Sequence, residues 1–160
     1  VERESKKIRK MKIIVDANIV FSGILNSNSK IGDLLINSHK HLEFIAPDFL
    51  RKEIFKHHHR LQKISGLSPD EIHQSEFLIC KYIHFISEEQ IRPTIWYSSE
   101  KLACDIDPND TPYVAFSKQF RCKIWSGDKQ LIKGLAAKGF YNTITTEELY
   151  NWRTLKENRK

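Results

Sequence analysis

Apolar residues recur along this chain at two spacings. Short contiguous runs bounded by polar or turn residues read as buried strands, and recurrence every three or four positions reads as amphipathic helix. "KIIV" is the first strand and delivers Asp16 at its end. "NIVFSGIL" and "KIGDLLINSH" then show helical spacing, the second placing Ile31, Leu34 and Leu35 on one face. "EFIAP" is a second strand, stopped by Pro47. From Asp48 to near Gly66, the apolar positions Phe49, Leu50, Ile54 and Leu61 predict one helix. Another is predicted over "LSPDEIHQSEFLICKYIHFIS", capped at Ser68, with Pro69 at its first position and Asp70 and Glu71 in its first turn. Residues 91 to 104 read as a loop or short strand leading into a further helix. "NDTPYVAFSKQF" opens a helix, "CKIW" is a strand, "DKQLIKGLAAKG" a helix closed by Gly139, "YNTIT" a strand and "TEELYNWR" a terminal helix.

Strands alternating with helices predict an α/β layered fold with a mainly parallel sheet. A chain of 160 residues is the size of one domain, here expected over residues 11–153, between a charged N-terminal extension (1–10) and a basic C-terminal tail (154–160). The extension lacks the apolar core of a secretory signal and precedes Met11, the only methionine, so it reads as a leader, a remnant or a misassigned start. No apolar run approaches the roughly 20 residues of a membrane span, so no membrane partner is expected. Cys80, Cys104 and Cys122 are an odd number without CxxC spacing, which predicts neither a disulfide framework nor a thiolate zinc site and fits a reducing cytoplasm. All three read as small buried hydrophobes. A net charge of +6 mildly favours a polyanion such as nucleic acid. Part of that excess lies in Lys6 to Lys12 and Arg153 to Lys160.

The chemistry concentrates in acids. "DIDPNDTPYVAF" crowds Asp105, Asp107 and Asp110 before a helix. Asp and Pro are common where helices begin, so a solvated cap is the simple reading. A cation site needs carboxylates from elsewhere. In parallel sheets the binding crevice lies at the carboxyl ends of the strands, where Asp16 follows "KIIV" and Asp128 follows "CKIW". A helix of about 11 residues after Asp110 spans about 16 Å, and the returning strand covers a similar length. The chain therefore leaves one edge at Asp110 and returns to it at Asp128, bringing both near Asp16. Three converging carboxylates repel one another unless a divalent cation offsets them, and all-oxygen ligation suits Mg²⁺ or Mn²⁺.

In order and spacing, "VDAN" (Asp16, Asn18), "LRKEI" (Glu53), "DPNDTPYVAF" (Asp110) and "WSGD" (Ser126, Asp128) resemble the PIN domain family. The resemblance covers Lys12 to about Trp152. It implies a three-layer α/β/α sandwich with a mainly parallel sheet of about four or five strands. It also implies that Asp16, Glu53, Asp110 and Asp128 surround Mg²⁺ or Mn²⁺ in an endoribonuclease acting on single-stranded RNA, with Asp16, Asp110 and Asp128 as metal ligands. Asn18 and Ser126 would orient ligands or water by hydrogen bonding. A toxin of a toxin-antitoxin pair is the implied biology, with an antitoxin protein as partner and a homodimer as the assembly.

Alternatives stay open at this level. Asp107 and Asp110 each qualify as the third acid, with Asp110 favoured because it precedes Thr111 and Pro112 at a helix start, and Asp48 or Glu43 replaces Glu53 if the helix register differs. Asp16 also reads as a polar strand end, Asp128 as a helix cap and Glu53 as a surface glutamate. The run His57 to His59 invites a metal reading, but a helix turns successive side chains by about 100°, so the three cannot face one ion. Trp96 and Tyr97 are candidates to stack bases, whereas Trp125 reads as core. An aspartyl phosphoryl-transfer enzyme would usually need an acid where Asn18 stands. A non-catalytic RNA- or protein-binding module is the other rival.

Overall fold

Five parallel strands, β1 (Met11–Val15), β2 (Leu42–Pro47), β3 (Ile83–Ile86), β4 (Lys123–Trp125) and β5 (Thr143–Ile144), pair in the order β3-β2-β1-β4-β5. They form the centre of the computed structural model, which describes residues 9–159. Residues 1–8, most of the expected N-terminal extension, lie outside the described residues. The helices are α1 (Ala17–Leu25), α2 (Lys30–Asn37), α3 (Phe49–Lys56), α4 (His58–Ser65), α5 (Pro69–Cys80), α6 (Pro93–Ala103), α7 (Thr111–Phe120), α8 (Lys129–Ala137) and α9 (Thr146–Glu157).

Side chains of a strand alternate between the faces of its sheet, and here each face meets a helical layer. Ile13 and Val15 of β1, with Phe44, Ala46 and Trp125, pack under α1 to α5 and α9. Ile14, Ile45 and Ile124 pack against α6, α7 and α8. This is the expected three-layer α/β/α arrangement, and every strand pair is parallel. The chain builds outward from β1 through β2 to β3, then crosses back to the other side of β1 for β4 and β5. The strand order therefore reverses between β1 and β4, where a crevice opens beyond the carboxyl ends of the strands. Those two strands carry Asp16 and the Ser126–Asp128 segment.

Four local expectations change. The helix predicted from Asp48 to Gly66 breaks at His57, whose φ of −95° and ψ of 4° redirect the chain between α3 and α4. The bend lets Leu50 and Ile54 on one side and Leu61 on the other reach the same core. The helix predicted through Ser87 ends at Cys80, and the β-branched "IHFI" pairs with β2 as β3. Residues 91 to 104 are mostly helix: Pro93 opens α6, and Ile95, buried Ser99 and Leu102 present one stripe to the core beside α7. Finally, α9 runs to Glu157, and Arg153 is buried within it, so that cation is not part of a solvated basic tail. Among the described residues no helix is long and apolar enough to cross a membrane.

Candidate active site

Asp16 sits where β1 becomes α1. Its backbone N–H donates to the Trp125 carbonyl of β4 at 3.3 Å, and its Oδ1 accepts from the Ile19 amide at 3.1 Å as the cap of α1. The residue is only 4% exposed. Burial pushes its carboxyl above the usual pKa, against the neighbouring Ser126 side chain and the Ile19 and Asn18 amides, while the negative charge of Asp128 adds to the rise. Ser126 is buried at the end of β4 and accepts from the Asp128 amide at 3.0 Å. Asp128 caps α8, with Oδ1 accepting from the Gln130 and Leu131 amides at 3.0 and 3.2 Å. Capping fixes one oxygen of each carboxylate and leaves lone pairs for another ligand. The simple reading of these acids as caps is thus correct and does not compete with a site.

The crowded loop separates its three aspartates. Asp105 is exposed and ion-paired to Lys138, whose hydrogen bond holds its carboxyl below the usual pKa. Asp107 is exposed and accepts from the Asn109 amide at 3.0 Å, capping a single 3₁₀ turn over Pro108–Asp110. Asp110 heads α7, half-buried, with no side-chain capping bond. Its pKa is pushed up to about 7 by burial and then by the charges of Asp107, Asp16 and Asp128. Of the two alternatives for a third acid, Asp110 is the one that feels both strand-end aspartates.

Asn18, Glu53, Glu88, Asp107 and Asp110 line a cleft of about 710 Å³. Glu53 is half-exposed, with Lys56 Nζ and His57 Nε2 each 3.5 Å from its carboxylate. Glu43 lies on β2 opposite Lys12, at the amino end of the sheet, away from this cleft. Asp48 is exposed at the head of α3. Glu53 is therefore the acid of that segment that shares the cleft with Asp110. Trp96 also lines it, its indole N–H donating to Glu100 at 2.8 Å, whereas Trp125 is fully buried core. Cys122 is buried, but Cys104 is exposed at the rim of the cleft, contrary to its reading as a buried hydrophobe.

Tyr113 escaped the sequence reading. The residue lines the cleft, and its hydroxyl is buried without a hydrogen-bond partner among the described residues. Burial, then the charges of Asp16, Asp110 and Glu53, push its pKa upward, so it stays a neutral donor. Its place one turn after Asp110 on a helix opening at the cleft was the available signal.

A family model described as PIN domain matches residues 14–156. The chain belongs to the PIN domain family. Among curated proteins no significant match is found. The PIN domain is a nuclease-type fold whose members generally act with a divalent metal. The carboxylates here fit such an ion: the donors are all oxygen, the charges of Asp16 and Asp128 push the Asp110 carboxyl up, and a buried hydroxyl beside them lacks a partner among the described residues.

Proposed function

We propose that this PIN domain is an endoribonuclease that hydrolyses phosphodiester bonds of single-stranded RNA with Mg²⁺ or Mn²⁺. The reading rests above all on Asp110, a carboxyl pushed up to about 7 at a helix start beside two strand-end aspartates. Acids arranged at such a cost to the folded state point to a positive charge that offsets them.

Asp16, Asp110 and Asp128 would hold the ion. When bound, a divalent cation lowers the pKa of water and offsets charge on a phosphate. The remaining work falls to the chain. Ser126, between Asp16 and Asp128, fixes the orientation of both. Asn18 presents its amide to the cleft, suited to a phosphate oxygen or water. Tyr113 offers a buried O–H, and Glu53 adds a carboxylate with Lys56 Nζ and His57 Nε2 beside it. Trp96 on the cleft wall offers an aromatic face to an unpaired base. The toxin role, an antitoxin partner and a homodimer are supported by the family resemblance. A cytoplasmic location is in keeping with three free thiols.

The test is cleavage of a mixed single-stranded RNA pool in EDTA, Mg²⁺ or Mn²⁺ by wild type, Asp16→Asn and Asp110→Asn. Cutting is expected only with metal and falls at least about 100-fold in either variant. Absence of cutting by wild type under every metal would favour the non-catalytic binding module.

A further inference from the structure

A second group of ligand-bearing side chains lies between α4 and α5, in a hollow that shares no lining residue with the acid cleft. The three consecutive imidazoles of His57 to His59 cannot face one point on a helix, and the break at His57 distributes them. His57 stays with Glu53 and meets Phe21 edge-on, with ring centroids 5.6 Å apart. His59 is exposed. His58 turns toward α5 and reaches His73 and Glu76, which are three residues apart and therefore share one helix face.

The three converge closely. His58 Nε2 and Glu76 Oε2 are 2.5 Å apart, the rings of His58 and His73 stand edge to face with centroids 4.8 Å apart, and one ligand atom from each residue lies within 4.8 Å of the others. A histidine–glutamate hydrogen bond alone would account for His58 and Glu76. It leaves His73 unexplained, a second imidazole brought to the same point with no hydrogen-bond partner among the described residues.

We propose that His58, His73 and Glu76 form a second metal site, which takes a zinc-class ion. Two neutral imidazole nitrogens and one carboxylate are a borderline donor set that suits zinc, unlike the all-oxygen set of the acid cleft. Zinc bonds of about 2.1 Å place tetrahedral ligand atoms about 3.4 Å apart, which small side-chain rotations reach by opening the His58–Glu76 pair and drawing the wider pairs inward. The fourth position opens on a hollow of about 540 Å³ lined also by Arg51 and Cys80, where water completes the shell. The ion clips α4 to α5. That clip matters because α4 buries only Leu61 and sits directly beyond the α3 end that carries Glu53.

The full chain, stripped with chelator and dialysed, would be titrated with zinc chloride in the presence of millimolar Mg²⁺, following heat and bound metal. Wild type and Asp16→Asn should each bind one zinc per chain, and His73→Gln should bind at least tenfold more weakly. Zinc should raise the melting temperature of wild type and leave that of His73→Gln unchanged. His73 is exposed, so its replacement leaves the core intact, which circular dichroism checks. Equal zinc affinity in wild type and His73→Gln, loss of the zinc in Asp16→Asn, or no zinc bound by wild type at micromolar concentration would each overturn the proposal.

Discussion

Residues of one type diverge here by surroundings, as the three aspartates of a single loop demonstrate. Asp105 has a lysine, Asp107 has water and a backbone amide, and Asp110 has burial and three like charges. The last arrangement has a defined cost. The Asp110 pKa rises from an ordinary 3.8 to about 7, so the unfolded chain ionises first as pH increases. The penalty from Asp110 in chelator is thus absent below pH 3.8, grows between the two values and is fully present above about 7. Asp110→Asn removes this penalty. In EDTA at pH 8 it should raise the melting temperature by a few degrees, roughly 1 to 2 kcal/mol once solvent screening of a half-exposed group is allowed for. The gain should vanish near pH 4, which thermal melts across pH would check. The sequence favours Asp110 over Asp107 because Asp110 directly precedes Thr111 and Pro112 at a helix start, but it does not show how their surroundings differ. Burial separates them, and burial is a property of the packed molecule.

Elements show where local pattern suffices and where it does not. Caps are local: Ser68 with Glu71 and Thr145 with Glu148 form reciprocal capping boxes, and Asp16 and Asp128 close helix starts one to three residues away. The break at His57 and the strand β3 are not local. Helical spacing continues through both, and the chain departs from it because the core must be reached from two directions and because β2 has an unpaired edge. Arg153 makes the same point for charge. In sequence it joins a basic run, but in the fold its guanidinium ties α9 to α2 through the Asp33 carboxylate at 2.5 Å and Ser38 Oγ at 3.0 Å. Partial burial pushes the Asp33 carboxyl up, and hydrogen bonds from Arg153 and Asn37 with the Arg153 charge outweigh it, leaving its pKa lowered. Arg153→Ala strands a carboxylate and leaves a hole, so it should cost about 2 to 3 kcal/mol, toward the low end for a buried pair because Asp33 is partly exposed. That corresponds to a melting temperature about 5 to 10 °C lower. Arg159→Ala, an exposed position beyond α9, should change little.

Across the whole molecule, the candidate site joins elements distant in sequence. Asp16 follows the first strand, Asp110 precedes α7 and Asp128 precedes α8, and they approach one another only when β4 pairs beside β1. An ion held by all three binds the folded chain and not the unfolded one. Mg²⁺ at 100 times its dissociation constant should therefore stabilise wild type by about 2.7 kcal/mol, raising the melting temperature by about 5 to 10 °C. Asp16→Asn should lose most of that increment, as paired melts in Mg²⁺ and EDTA would reveal. By itself the sequence determined the alternation of strands and helices, the parallel sheet and the placement of Asp16 and Asp128 at strand ends, because periodicity and caps act within a few residues. Tertiary structure alone decided β3, the bend at His57, the burial of Arg153, the coupling of Asp110 rather than Asp107 to the strand-end acids, the unpaired Tyr113 hydroxyl and the meeting of His58 with His73 and Glu76. Each of these depends on which distant segments pack together, and on how far that packing removes a group from water.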